Sequence, residues 1–333
     1  MNELARVLGL MAAAGTLAGG CQLSPHVRPP AAPAWTQSLS GPGSARYRHG
    51  AYGLYQSGSG PSDYALYTPA APVPRRAPVV VFLHGWGALD PGEYSAWTVH
   101  LARKGNIVIC PRWQDNRFDA NGRTFLPDAV TAVRAALGRL EREGPVRPQA
   151  GRFALFGHSI GATLAADMAA QWVELGLPRP RALFCVTPGS LSAGSRMRVQ
   201  NDVAVADFSR LPEGLLLVVL VGEDDTRVGT AMADRIYDGA TALPVRDKSY
   251  LTVRTDRHGE PPLIADHKLP LGTAGTLANV DALDYYALWR TGDALLDAAF
   301  TGRHREYRLG NTPQQRYMGK WPDGTPVIEL AVR

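Results

Sequence analysis

The sequence predicts an α/β fold: a mostly parallel sheet with helices on both faces. Three observations carry that expectation. Short apolar runs recur without polar alternation, as strands buried on both faces require: Pro78–Leu83, Asn106–Cys110, Phe153–Phe156, Arg181–Val186 and Leu215–Val221. Helix-like stretches separate them, and in Pro127–Glu143 the residues Val130, Val133, Ala136, Leu137 and Leu140 recur at helical spacing. Alternation of this kind builds a sheet covered on both sides. The third observation is the pentapeptide Gly157-His158-Ser159-Ile160-Gly161, set between an apolar run and the helix-like Ala162–Ala170.

That strand–turn–helix setting is what a nucleophile elbow needs. Glycines on both flanks allow a turn too tight for side chains there. The turn lifts the Ser159 hydroxyl clear of the sheet and aims the free N–H groups of the next helix at it. The competing reading is an ordinary strand-to-helix turn.

A serine hydroxyl needs a base, and the base needs an acid, each held at the end of a later strand. The run Leu215–Val221 ends in Gly222-Glu223-Asp224-Asp225-Thr226. Glu223, Asp224 or Asp225 could be the acid; Asp225 is favoured, with Asp224 second, because the loop must carry the carboxylate over to the histidine. The next strand, Ser249–Arg254, is followed by His258-Gly259 and later by Asp266-His267. A base held close to its strand is best positioned, so His258 is the expected base and His267 the alternative. Either histidine could instead bond locally in its loop.

An oxyanion site completes the chemistry. The strand Pro78–Leu83 ends in His84-Gly85-Trp86-Gly87. The backbone N–H groups of Trp86 and Ile160 are the expected donors. The Trp86 indole would wall the pocket mouth, unless it packs under its loop. His84 precedes the turn and reads as structural.

On these residues the chain resembles the α/β-hydrolase superfamily. The closest likeness is to the group of cutinase-like polyester hydrolases, platelet-activating-factor acetylhydrolases, chlorophyllases and dienelactone-hydrolase relatives. The resemblance runs from about Arg75 to Phe300. Leu83-His-Gly-Trp86, Gly105–Pro111, Gly157–Gly161, Val221–Thr226 and Tyr250–His258 carry it. It implies an α/β-hydrolase fold without a large cap domain and ester hydrolysis through an acyl-enzyme. The Asp225-Thr226 pair matches the acid position of cutinase-like members. Two departures stand out: two histidines compete for the base, and Ala162 follows the elbow where many relatives have a second glycine.

The 333 residues, 45% hydrophobic, suffice for one large core, so residues 46–333 are read as a single catalytic domain. A net charge of +5 comes from dispersed arginines with no basic run interleaved with aromatics, which argues against a nucleic-acid partner. Val7–Ala18 is too short to span a bilayer but suits a signal-peptide core. It ends in Leu17-Ala-Gly-Gly-Cys21, similar to a lipobox, so residues 1–21 read as a signal with Cys21 as the lipidation site. An exported, membrane-anchored lipoprotein follows, with a secreted or periplasmic protein as the alternative. Residues 22–45, rich in proline and alanine, read as a tether.

Arg46–Ala70 is expected to supply the first, antiparallel strands, Glu93–Lys104 a helix, and Asp281–Phe300 the last long helix. Loops at the strand ends set substrate access, and a fairly open cleft walled by Trp86, Trp113 and Thr187–Pro212 is expected. Core packing is the competing role for Trp113. In the sheet order that the resemblance implies, Cys110 and Cys185 sit on strands about three positions apart, so roughly 14 Å, too far for a disulfide that needs about 7 Å. No metal-ligand spacing or phosphate loop appears, and no cofactor is called for. The expected partner is a small or lipid-like ester met by a monomer. Acyl transfer to an alcohol, amide cleavage and a non-catalytic surface lipoprotein are the competing functions.

Overall fold

The computed structural model describes residues 35, 37–119, 121–191, 201–272 and 280–333. The signal segment, Cys21, most of the tether, and Arg196 and Arg198 of the Thr187–Pro212 loop lie outside the described residues.

One nine-stranded sheet organises the chain. Its strands are β1 (Ala51–Gln56), β2 (Tyr64–Ala70), β3 (Arg76–Leu83), β4 (Ile107–Pro111), β5 (Arg147–His158), β6 (Ala182–Val186), β7 (Leu216–Gly222), β8 (Lys248–Val253) and β9 (Ala331–Val332). They lie in the order β1-β2-β4-β3-β5-β6-β7-β8-β9. The six strands from β4 to β8 in that order run parallel, and β1, β2 and β9 are antiparallel to their neighbours.

The unbroken apolar strands bury both faces. Along β3, Val79, Val81 and Leu83 join one core, while Val80 and Phe82 join the other. This is the period-two alternation of a strand with no solvent side. The first core is covered by α2 (Gly122–Glu143), α3 (Ile160–Ala170) and α4 (Ala231–Gly239). The second is covered by α1 (Ser95–Arg103) and α5 (Arg290–Thr301). The expected last helix divides into a π-helical turn, Leu283–Trp289, and α5. Cys110 on β4 and Cys185 on β6 are free thiols, with three sheet steps between their strands.

All eleven residues of α3 are buried, because the helix packs directly behind β5. The turn joining them is correspondingly tight. A Cβ on Gly157 would stand 2.3 Å from the Gly161 carbonyl oxygen, and one on Gly161 would stand 2.2 Å from that of His84. Backbone meets backbone at both places, so neither position accepts a side chain.

Candidate active site

Ser159 sits between β5 and α3 at φ 56°, ψ −126°. A non-glycine residue held there stores strain and lasts only where its surroundings over-determine it. Here they do: the Ser159 N–H donates to the Val186 carbonyl at 3.0 Å, and its own carbonyl accepts from Ala162 and Gly189. The side chain is thereby lifted off the sheet at the carboxyl ends of the strands.

The Ser159 hydroxyl lies 2.9 Å from Nε2 of His267, whose Nδ1 lies 2.8 Å from Oδ2 of Asp225. With a carboxylate at Nδ1, that nitrogen carries the proton and Nε2 is left to accept from the serine. The other Asp225 oxygen accepts from the N–H groups of Arg227 and Val228. The side chains of Asp225 and His267 are 2% and 11% exposed, so the pair acts with little screening by water.

The expected base is corrected here. His258 does not approach Ser159. Its Nε2 meets Asp323 at 2.8 Å, its ring packs on Trp321, and its side chain is 42% exposed. The reason is the path after β8. Asp256 and Leu263 pair as an antiparallel bridge, which turns residues 257–262 into an outward excursion carrying His258. The chain then returns to the end of β7. Ala265 presses its carbonyl so close to Gly222 that a Cβ there would lie 2.3 Å away. His267 follows two residues later, over Asp225.

Asp225 alone of the three acidic candidates reaches an imidazole near Ser159. Glu223 receives Arg254 and the Thr255 N–H, and Asp224 receives Thr255 and Arg257. Those contacts hold down the start of the β8 loop. The Thr255 hydrogen bond and the Arg257 guanidinium outweigh slight desolvation and hold the Asp224 carboxyl below its usual range.

The N–H groups of Trp86 and Ile160 find no acceptor among the described residues, whereas Gly85 donates to Tyr94 Oη, Gly87 to Gln114 and Ser159 to the Val186 carbonyl. Unpaired backbone donors of this kind suit a developing oxyanion. Trp86 is half-buried, and its indole N–H donates to the Asp119 carbonyl at 2.7 Å, tying this loop to the segment after β4. Burial holds His84 down to about 4; it stacks on Trp113 and bonds its own loop at the Gly85 carbonyl.

Trp113 is the second correction. It is fully buried, stacked on His84 and packed at a tilt against Phe125 in the core, and so is no wall of an open cleft. A contact that the sequence does not announce stands beside Ser159: a Cβ on Gly189 would lie 3.7 Å from Ser159 Oγ and 2.5 Å from Val228. Proximity of those two loops carries no sequence signal. A cavity of about 360 Å³ bounded by Phe82, His84, Tyr94, Cys110, Arg112 and Arg117 does not include Ser159 in its lining. Among the described residues, no three His, Cys, Asp or Glu side chains group as a metal site.

Residues 78–243 match the family model of the Thioesterase domain, just under half of the chain. The match spans the His84–Gly87 loop, the elbow and Asp225, and stops before His267. Among curated proteins, no relative matches the chain. Sheet order, elbow and family match agree on one architecture: this chain has an α/β-hydrolase fold.

Proposed function

We propose that this protein is a serine hydrolase that cleaves carboxylic esters through an acyl-enzyme. The observation that supports it most is the unbroken relay from Ser159 Oγ through His267 to Asp225, at 2.9 and 2.8 Å. His267 Nε2 takes the Ser159 proton as Oγ attacks the acyl carbonyl. Asp225 holds the ring and stabilises the imidazolium. The Trp86 and Ile160 N–H groups receive the oxyanion. His267 then gives its proton to the departing alcohol, and water activated by the same nitrogen releases the acid. Trp86 and the Gly189–Val228 wall flank the acyl group.

The family match favours a second reading, in which the leaving group is a thiol. The same relay serves a thioester, because a thiolate leaves more readily than an alkoxide and demands less of the acid step. The finer resemblance to cutinase-like enzymes favours the oxygen ester. Matched acyl esters and thioesters of a common acyl group, assayed on the purified full chain, separate the two. Ester turnover that falls by about 10³-fold or more in Ser159→Ala supports the proposal. Turnover of thioesters alone moves the assignment to the second reading, and turnover of neither removes both.

Cys21 is proposed as the lipid anchor of an exported form. Cys21→Ala should move the protein from the membrane fraction to the soluble fraction of cells. Unchanged partitioning contradicts the anchor.

A further inference from the structure

His158 precedes Ser159, and its buried ring packs against the ring of His267, centroid to centroid at 4.8 Å. Its Nε2 lies 2.9 Å from the backbone carbonyl of His267, and its Nδ1 lies 2.7 Å from Tyr94 Oη. A carbonyl only accepts, so Nε2 carries the proton. Nδ1 then accepts from the Tyr94 hydroxyl, and the Tyr94 oxygen in turn accepts from the Gly85 N–H at 2.9 Å. The proton order is therefore set along the whole chain: Gly85 N–H to Tyr94, Tyr94 O–H to His158, His158 N–H to the His267 carbonyl. Burial holds the His158 imidazole well below its usual range, and His267 nearby adds to that, so the ring stays neutral and the order persists.

The two ends of this chain are the two parts that must move together during acyl transfer. Gly85 is the residue before the oxyanion donor Trp86, and His267 is the proposed base. Contact is close throughout: a Cβ on Gly85 would stand 2.8 Å from His158 Nδ1 and 3.1 Å from Tyr94 Oη. We propose that Tyr94 and His158 are positioning residues that lock the oxyanion loop to the backbone of the base, setting both ends of the reacting group in one register. This rests on the serine-hydrolase reading above. A buried polar chain has large leverage, because each member left unpaired costs its full desolvation. Displacing a reacting group by about 1 Å costs on the order of 10²-fold in rate.

The test compares wild type with Tyr94→Phe, His158→Leu, His158→Gln and the Tyr94→Phe/His158→Leu pair. The readouts are kcat and KM for a chromogenic ester, and the rate of Ser159 labelling by a fluorophosphonate, each per folded molecule. Each apolar variant should lose about 10- to 100-fold in kcat and in labelling rate, with KM within about twofold. The pair should lose no more than the worse single variant, because the residues act as one unit. His158→Gln, which keeps a donor and an acceptor, should recover most of the loss. Should His158→Leu fail to fold, Tyr94→Phe, which removes one oxygen, carries the test. Variants that melt earlier but turn over and label at the wild-type rate overturn the proposal, as does a pair whose losses multiply. A wild type that never labels at Ser159 overturns the serine-hydrolase reading along with it.

Discussion

The Asp224 N–H donates to the Ala265 carbonyl at 3.0 Å, and with this bond in place His267, not His258, lies against Ser159. It pins the returning chain to the end of β7, one residue before Asp225 and two before His267. His258, seven residues earlier than Ala265, is left on an excursion facing Asp323.

From this arrangement, Asp225→Asn should lower kcat by about 10⁴-fold, with KM little changed. An amide at that position accepts the imidazole proton less well and favours the wrong tautomer. Asp224→Asn, which touches Thr255 and Arg257 and not the imidazole, should leave kcat within a few-fold. Steady-state kinetics of both variants check this, and equal losses would contradict the assignment of the acid.

How legible this was from sequence differs by residue. The elbow was readable because its constraint is local: Gly157, Ser159 and Gly161 sit within one turn, and the strand and helix around them carry their own periodicities. Asp225 was readable because a buried strand ends three residues before it and its acid neighbours compete on loop position alone. Which histidine lies beside Ser159 was not readable. Distance from the strand end favours His258, and the Asp256–Leu263 bridge that defeats this is a pairing of two residues in an irregular segment. Tyr94 was hidden in the same way, since its role depends on a contact with His158 sixty-four positions away. Trp113 shows the converse, a residue placed at a strand end by sequence and turned inward by packing against Phe125.

Trp113→Ala should therefore destabilise the fold by about 3–5 kcal/mol, the cost of emptying a large buried site. Its kcat/KM per folded molecule should hold. Trp86→Ala should do the reverse, keeping the melting temperature within a few degrees and raising KM about tenfold, which is roughly 1.4 kcal/mol of binding. Melting curves and ester kinetics on both variants decide the matter. A KM effect at Trp113 comparable with that at Trp86 would contradict the placement.

Gly161→Ala should fail to accumulate as folded protein. Its Cβ would meet the carbonyl oxygens of His84 and Leu83 at 2.2 and 2.4 Å, and neither backbone group can yield without displacing the oxyanion loop. Soluble yield and circular dichroism read the result, and a well-folded variant would contradict the packing described.

Stability should fall with rising pH through Asp167. Burial in α3 raises its carboxyl from 3.8 to about 7, and one of its oxygens has no partner. Below about pH 4 both folded and unfolded chains hold the proton, and no penalty arises. Between there and pH 7 the unfolded chain gives it up first, so stability declines, and above pH 7 the full penalty of on the order of 4 kcal/mol remains. Asp167→Asn keeps an acceptor for the Ala206 N–H and should remove this contribution to the decline. Denaturant titrations of both proteins at pH 5 and pH 8 test it, and an equal pH effect in the two would contradict it.

The central claim is that His267, and not His258, activates Ser159. The most direct measurement is the rate at which a fluorophosphonate labels Ser159 in wild type, His267→Ala and His258→Ala. Wild type and His258→Ala should label rapidly, with loss of about 10³-fold or more in His267→Ala. Labelling that survives in His267→Ala and vanishes in His258→Ala would contradict it.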